Sequence, residues 1–365
     1  MNTSSLCKSA GAALLLACTM PAGATDVDIE SKLAECSKVN GESARLKCYD
    51  ELAGRKPAVA APAPAATAAG AAATPGDAAT GGAKSAPASA QPGSLLTQAW
   101  ELDGNPERFQ VRAYKPVYLL PVFRASQVNG APYSPTRGYG DNNGTPRKTE
   151  AKFQLSFKTK LAQNLIGDNG DVWAAYTQSS RWQVYNQAAS RPFRETDYEP
   201  EAMFVWRTHY DLPWGFTGRY LSLGINHQSN GQSDPLSRSW NRITGAFGMD
   251  RDHWTLTVRP WWRLPEHGAN DDNPDLVDYA GRGELLLTHA DKDTVFSVEA
   301  RHSLRGGDRN HGSLRFDLAF SPYRNPDEHD LKLHIQWFTG YAESLIDYNH
   351  HANYLGLGIS LKEWH

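Results

Sequence analysis

The chain has 365 residues, 40% hydrophobic and 21% charged, with a formal net charge of −3 and a mean hydropathy of −0.55. This near-neutral balance gives no electrostatic ground for nucleic acid as a partner. A helical membrane span needs roughly 20 apolar residues; only residues 9–20 approach that, which excludes a polytopic helical membrane protein. A membrane β-barrel escapes this test, because each strand gives only alternate residues to lipid.

At the N-terminus, Lys8 precedes an apolar stretch, Ala12 to Ala17, and then Pro21 and Ala22-Gly23-Ala24. This is the pattern of a secretory signal peptide, residues 1–24, cleaved after Ala24. Lipoprotein processing at Cys18 is the weaker alternative, with Leu16 at the second position of Leu15-Leu16-Ala17-Cys18. Export leaves Cys36 and Cys48 in an oxidising compartment, which favours a disulfide over a metal site. Residues 25–53 form a helical hairpin by pattern. Ile29, Leu33 and Cys36 recur at helical spacing, Asn40-Gly41 interrupts, and Leu46, Cys48, Tyr49 and Leu52 resume it. Residues 54–93 are almost wholly Ala, Pro, Gly, Thr and Ser, too poor in apolar groups to offset ordering entropy, and read as a tether in the periplasm.

From 94 to 365 the helical period gives way to alternation. Leu331, Leu333, Ile335 and Trp337 interleave with Lys332, His334 and Gln336, and Leu314, Phe316, Leu318 and Phe320 with Arg315, Asp317 and Ala319. Stretches of about 8–11 such residues match tilted membrane strands. The expected fold is all-β, a 12-stranded antiparallel transmembrane β-barrel; a soluble β-sandwich is the alternative. Export, a polar face on nearly every strand, and aromatic residues near strand ends favour the barrel. Those aromatics are Trp261, Trp262, Trp337, Tyr341, Tyr348 and Tyr354. The chain ends Trp364-His365, with an aromatic residue one place before the end.

Chemistry concentrates in Leu221 to Arg242. Leu221, Leu223 and Ile225 share one strand parity, and His227 and Ser229 continue it, so a His and a Ser stand side by side, about 7 Å apart, where apolar residues are expected. If the strand beginning near Trp240 is the antiparallel neighbour, Asn241 reaches the same face. A serine hydroxyl needs a base to take its proton, and that imidazole needs an orienting partner. The opposing reading makes His227 and Ser229 ordinary polar residues at a strand end. No GxSxG, HExxH or CxxC occurs, which leaves the α/β-hydrolase and zinc-enzyme routes without support.

The run His227-Gln-Ser229-Asn-Gly231, with Asp234-Pro235 and Ser237-Arg-Ser-Trp240-Asn241-Arg242, closely resembles outer membrane phospholipase A. The resemblance extends to Tyr176-Thr-Gln178, Ser190 to Pro200, Asp271-Asp272-Asn-Pro-Asp275 and Gly340 to Tyr348, and covers roughly 94–365. It implies a Gram-negative outer-membrane enzyme that cleaves 1- and 2-acyl esters of glycerophospholipids and lysophospholipids. It makes Ser229 the nucleophile, His227 the base and acid, and Asn241 the orienter, with the Ser229 N–H at the oxyanion and Gly231 beside it. It also implies Ca2+ as cofactor, held by Ser237, the carbonyl of Gln232 and Ser190 of a facing subunit. Asp234 assists through water, and Asp272 serves a second position in the monomer. The active form is then a homodimer with Gln178 at the interface, and the monomer is inactive. A non-enzymatic barrel, either a narrow pore or an anchor for the hairpin, is the rival from another class.

Overall fold

The computed structural model describes residues 26–39, 41–52, 93–103, 108–142, 144–266, 268, 271–323 and 331–361. The signal peptide, the tether before Gly93, Asn40 and Trp364-His365 lie outside the described residues. The chain divides into two units, Met1–Ala83 and Lys84–His365.

In the first unit, α1 (Asp26–Ser37) and α2 (Glu42–Leu52) pack as the expected hairpin. Cys36 is buried and forms a disulfide with Cys48. Gly41 supplies the turn, at φ +99, a region open to glycine without a Cβ penalty.

The second unit contains α3 (Leu95–Trp100), β1 (Val111–Ala113), β2 (Tyr118–Ala125), β3 (Tyr133–Ser134), β4 (Gly138–Tyr139) and β5 (Thr149–Ala162). It continues through β6 (Asp171–Trp182), β7 (Phe193–Asp211), β8 (Thr217–Ser229), β9 (Ser239–Arg251) and β10 (Trp254–Arg263). It ends with α4 (Leu276–Ala280), β11 (Gly283–Ala290), β12 (Thr294–His302), β13 (Gly312–Phe320), β14 (Leu331–Gly340) and β15 (Ala352–Leu361). Each of β5 to β15 pairs antiparallel with the next, β15 returns to β2, and β2 pairs with β5. The sheet therefore closes on itself as a barrel of 12 strands, with no free edge. β1 adds to β5 ahead of β2, and the two-residue strands β3 and β4 form a separate hairpin in the loop above.

The period of two decides which residues face where. Leu331, Leu333, Ile335 and Trp337 point outward and are exposed, whereas Lys332, His334 and Gln336 are buried in the lumen. Many of the lumen charges are satisfied in pairs. Arg181 bonds Asp197 and Glu343, Lys152 bonds Glu343, Arg194 bonds Glu150 and Asp347, and Arg315 bonds Glu299 and Asp317. Three of the expected interfacial aromatics belong inside: Trp261, Tyr348 and Tyr354 are buried. Trp261 shares the parity of the lumen-facing Arg259, and Tyr348 sits in the β14–β15 loop. Trp262 and Trp337 remain exposed.

One end of the lumen is plugged. Ser94 caps α3 by accepting from Thr97 N–H at 3.0 Å, and Asp250 accepts from Leu96 N–H at 3.2 Å, so a carboxylate meets the positive end of the helix. Leu96 and Trp100 then pack on Trp173, Met203, Val205 and Tyr220 inside the wall. Between this plug and the ion pairs lies a cavity of about 290 Å³. The opposite end carries the long connections 126–148, 183–192, 230–238, 264–282, 303–311 and 341–351, against mostly shorter ones at 163–170, 212–216, 252–253, 291–293 and 321–330 on the plugged side. Long loops mark the extracellular end of an outer-membrane barrel.

Candidate active site

β8 and β9 build the site, at the long-loop end and on the outer surface. Leu223 and Ile225 face outward at 63% exposure each, and His227 continues their row. The register sets His227 directly opposite Asn241, and Ser229 opposite Ser239. Directly opposed side chains stand about 5 Å apart, and here the imidazole Nδ1 meets Asn241 Oδ1 at 2.8 Å. Because Oδ1 can only accept, Nδ1 carries the hydrogen and donates it, which leaves the Nε2 lone pair free. Ser229 lies two residues along the same face. Among the described residues no hydrogen bond joins its hydroxyl to the imidazole, a looseness that catalytic pairs without substrate often show.

The lumen side holds these two strands rigid at the same height. Trp240 Nε1 donates to Gln228 Oε1 at 2.8 Å, and Arg242 joins Asn226 and Glu199 while stacking over the Trp240 ring at 4.0 Å. Above the site, Asn230 and Arg238 pair through their backbones, closing the 230–238 loop around a cis Asp234-Pro235 bond. Gly231 follows at φ +64, where a Cβ would stand 3.3 Å from the Tyr198 ring, so only glycine fits next to Ser229 without strain.

The expected calcium ligands fall into three groups. Ser237 Oγ donates to Asp272 Oδ2 at 2.5 Å, so these two come together although they lie on different loops. Asp234 is not bonded to either. It pairs with Arg137 at 3.2 Å, and the same guanidinium bonds Asp272 at 2.6 Å, so Arg137 bridges the two carboxylates. Gln232 turns its side chain to Glu195 and the Arg194 carbonyl. Ser190 is exposed on the β6–β7 loop in a left-handed conformation, apart from this cluster. The donors are hydroxyl, carboxylate and carbonyl oxygens, the hard set that suits calcium, and the cluster already attracts one cationic group. Among the described residues no group of three or more His, Cys, Asp or Glu could hold a metal by itself.

Gln178 has the outward parity of β6 rather than the lumen parity of Thr177 and Ser179. It lies opposite Tyr198, which lies opposite Ser229, so Gln178 and the nucleophile candidate share one transverse row on the outer wall.

Two side chains in the site carried no signal in the sequence: Arg137, from the β2–β5 loop, and Glu266, from the β10–β11 loop. Glu266 Oε1 accepts from Asn241 Nδ2 at 3.3 Å. Partial burial pushes its carboxyl above the ordinary range, aided by Asp271 and opposed by Arg263.

With the barrel and the row on its outer wall described, comparison with known proteins places the chain in a family. The family model for phospholipase A1 matches residues 96–361. The chain belongs to the phospholipase A1 family. It is 41% identical over 276 residues to a Neisseria meningitidis protein named for phospholipase A1, covering 73% of this chain and 70% of that protein. It is 35% identical over 271 residues to Salmonella typhimurium phospholipase A1, covering 74% and 87%. Among solved structures, an active-site mutant of Escherichia coli outer membrane phospholipase A superposes with a TM-score of 0.61 at 33% identity, covering 71% of this chain and 95% of that one. The Salmonella typhi outer membrane phospholipase dimer with bound calcium gives 0.60 at 33% identity, covering 71% and 94%. Phospholipase A1 proteins are carboxylic ester hydrolases, and this chain is a phospholipase of the Gram-negative outer membrane.

Proposed function

We propose that the phospholipase cleaves 1- and 2-acyl esters of glycerophospholipids and lysophospholipids with Ser229 as nucleophile. The observation that carries this reading is the 2.8 Å hydrogen bond from His227 to Asn241 beside Ser229 on the outer wall. A lipid-facing surface has no structural need for such a row, whereas ester hydrolysis needs each member. His227 takes the Ser229 proton through Nε2 as Oγ attacks the acyl carbonyl, then passes it to the departing glycerol oxygen. Water, deprotonated by the same imidazole, releases the fatty acid from Ser229. The Ser229 backbone N–H faces the developing oxyanion, and the turn at Gly231 keeps that approach open. Leu223, Ile225, Ile243 and Trp262, exposed below the site, receive the acyl chain.

Ser237 and the Gln232 carbonyl, with Ser190 of a second copy and Asp234 through water, form the oxygen set for the catalytic calcium, and Asp272 serves a second calcium position in the monomer. When bound at the catalytic position, calcium supplies positive charge near the oxyanion. The bound calcium and dimeric form of the Salmonella typhi relative support this part. The outward Gln178, in the row of Ser229, supports a homodimer as the active form and the monomer as the inactive one. A pore does not fit a lumen crossed by paired charges and plugged by α3.

Release of fatty acid from detergent-dispersed phospholipid with calcium tests the reading. Ser229→Ala should lower turnover by about a thousandfold or more. Turnover equal to wild type would overturn it.

A further inference from the structure

Asn241 has a weakness that an aspartate in the same place would not have. Its amide has one accepting end and one donating end of nearly equal size, so either could face the imidazole. With Oδ1 toward His227, Nδ1 carries the hydrogen and Nε2 is free to act as a base. With Nδ2 toward His227, Nδ1 must accept, the hydrogen moves to Nε2, and the imidazole cannot take a proton from Ser229. Each flip of this amide therefore turns the base on or off.

The chain leaving β10 resolves the choice. Leu264 N–H donates to the Asn241 carbonyl at 2.8 Å, extending the β9–β10 ladder past the last strand residue. Leu264 is exposed on the outer wall, and Glu266, two residues on, shares its parity. Asn241 is thus flanked by His227 on the β8 side and Glu266 on the β10 side, and Glu266 Oε1 lies 3.3 Å from Asn241 Nδ2. The nearest cation, Arg263, pairs with Asp271 at 2.7 Å and leaves the Glu266 carboxylate to the amide.

The geometry points to Glu266 as a positioning residue that fixes the Asn241 amide, and through it the reactive tautomer of His227. This rests on the Ser229-His227-Asn241 reading above. An ionised carboxylate accepts and cannot donate, so it tolerates only the amide end that carries hydrogen. It also places a negative charge one residue beyond the neutral asparagine, on the side that favours imidazolium. The groups around this carboxylate are Arg263, Asp271, Asp272 and Asn241, and its raised protonation range comes first from partial burial.

The test is steady-state hydrolysis of detergent-dispersed phospholipid by the full-length enzyme with calcium, with heat-modifiable gel mobility confirming the barrel in each variant. Glu266→Ala should lower kcat about tenfold with KM unchanged. In an Asn241→Ala background the same change should have no further effect. Asn241→Asp sets two carboxylates face to face and should also lose activity. Adding Glu266→Gln to it supplies a donor to Asp at 241 and should recover more activity than either single variant shows. Full activity in Glu266→Ala, an independent loss in the Asn241→Ala background, or no recovery in the paired variant would overturn the inference. Ser229→Ala separates the two levels. If it abolishes turnover while the Glu266 variants behave as wild type, only the Glu266 assignment fails; if it retains turnover, the serine reading itself fails.

Discussion

In the proposed mechanism His227 and Asn241 do different amounts of work, and their substitutions should rank accordingly. Removing the base leaves Ser229 a neutral hydroxyl, so His227→Ala should reduce kcat by about a thousandfold or more. Asn241→Ala leaves the imidazole present but free to adopt either tautomer. Asparagine brings no charge of its own, so the loss should be smaller, roughly ten- to a hundredfold. Both variants should keep the heat-modifiable mobility of a folded barrel, because both residues stand on the outer wall and contribute nothing to the lumen core. Equal losses for the two substitutions would contradict the division of roles. His227 and Ser229 were legible in the sequence because strand parity is strict: the row of Leu221, Leu223 and Ile225 fixes where the next two odd residues point. Glu266 was not, because its position depends on how the chain leaves β10, and nothing in Leu264-Pro265-Glu266 records which strand it will lie against.

At the scale of elements, three segments meet at the long-loop end: the β8–β9 loop brings Ser237 and Asp234, the β10–β11 loop brings Asp272, and the β2–β5 loop brings Arg137. The sequence resemblance named the oxygen donors but could not show that Arg137 bridges two of them. A guanidinium between two carboxylates offsets the charge that would attract calcium. Arg137→Ala should therefore lower the calcium concentration needed for half-maximal activity, and Asp272→Asn should raise it, each by about tenfold, measured by titrating calcium into chelated enzyme. No change in either variant would place the ion elsewhere. The aromatic misreading belongs to this scale too. Trp261 was placed at the interface because it lies near a strand end, yet its odd parity already set it beside Arg259 in the lumen, while Trp262 faces lipid. Tyr348 needed the loop fold itself, where its hydroxyl bonds Asp275 at 2.5 Å.

At the scale of the whole molecule, the negative mean hydropathy of a membrane protein has a physical explanation. The barrel turns its charged residues into a lumen where they pair, and gives lipid only the alternate side chains. That inversion leaves the proposed catalytic row on the outside, at one edge of the wall, where a second barrel can cover it. Cross-linking through a cysteine placed at Gln178 should therefore rise with calcium and phospholipid, in step with activity. A fully active enzyme that never cross-links would rule out the dimer as the working form. In the two-helix unit at the N-terminus the Cys36–Cys48 disulfide joins the helices and stabilises them locally.

The most direct measurement of the central claim is covalent. An acyl-mimicking phosphonate ester reacts only with a nucleophile that a neighbouring base has activated. After treatment in detergent, peptide mass spectrometry should find the phosphonyl group on Ser229 of the wild-type enzyme and none on His227→Ala. A label on another residue, or equal labelling of Ser229 without His227, would contradict the account.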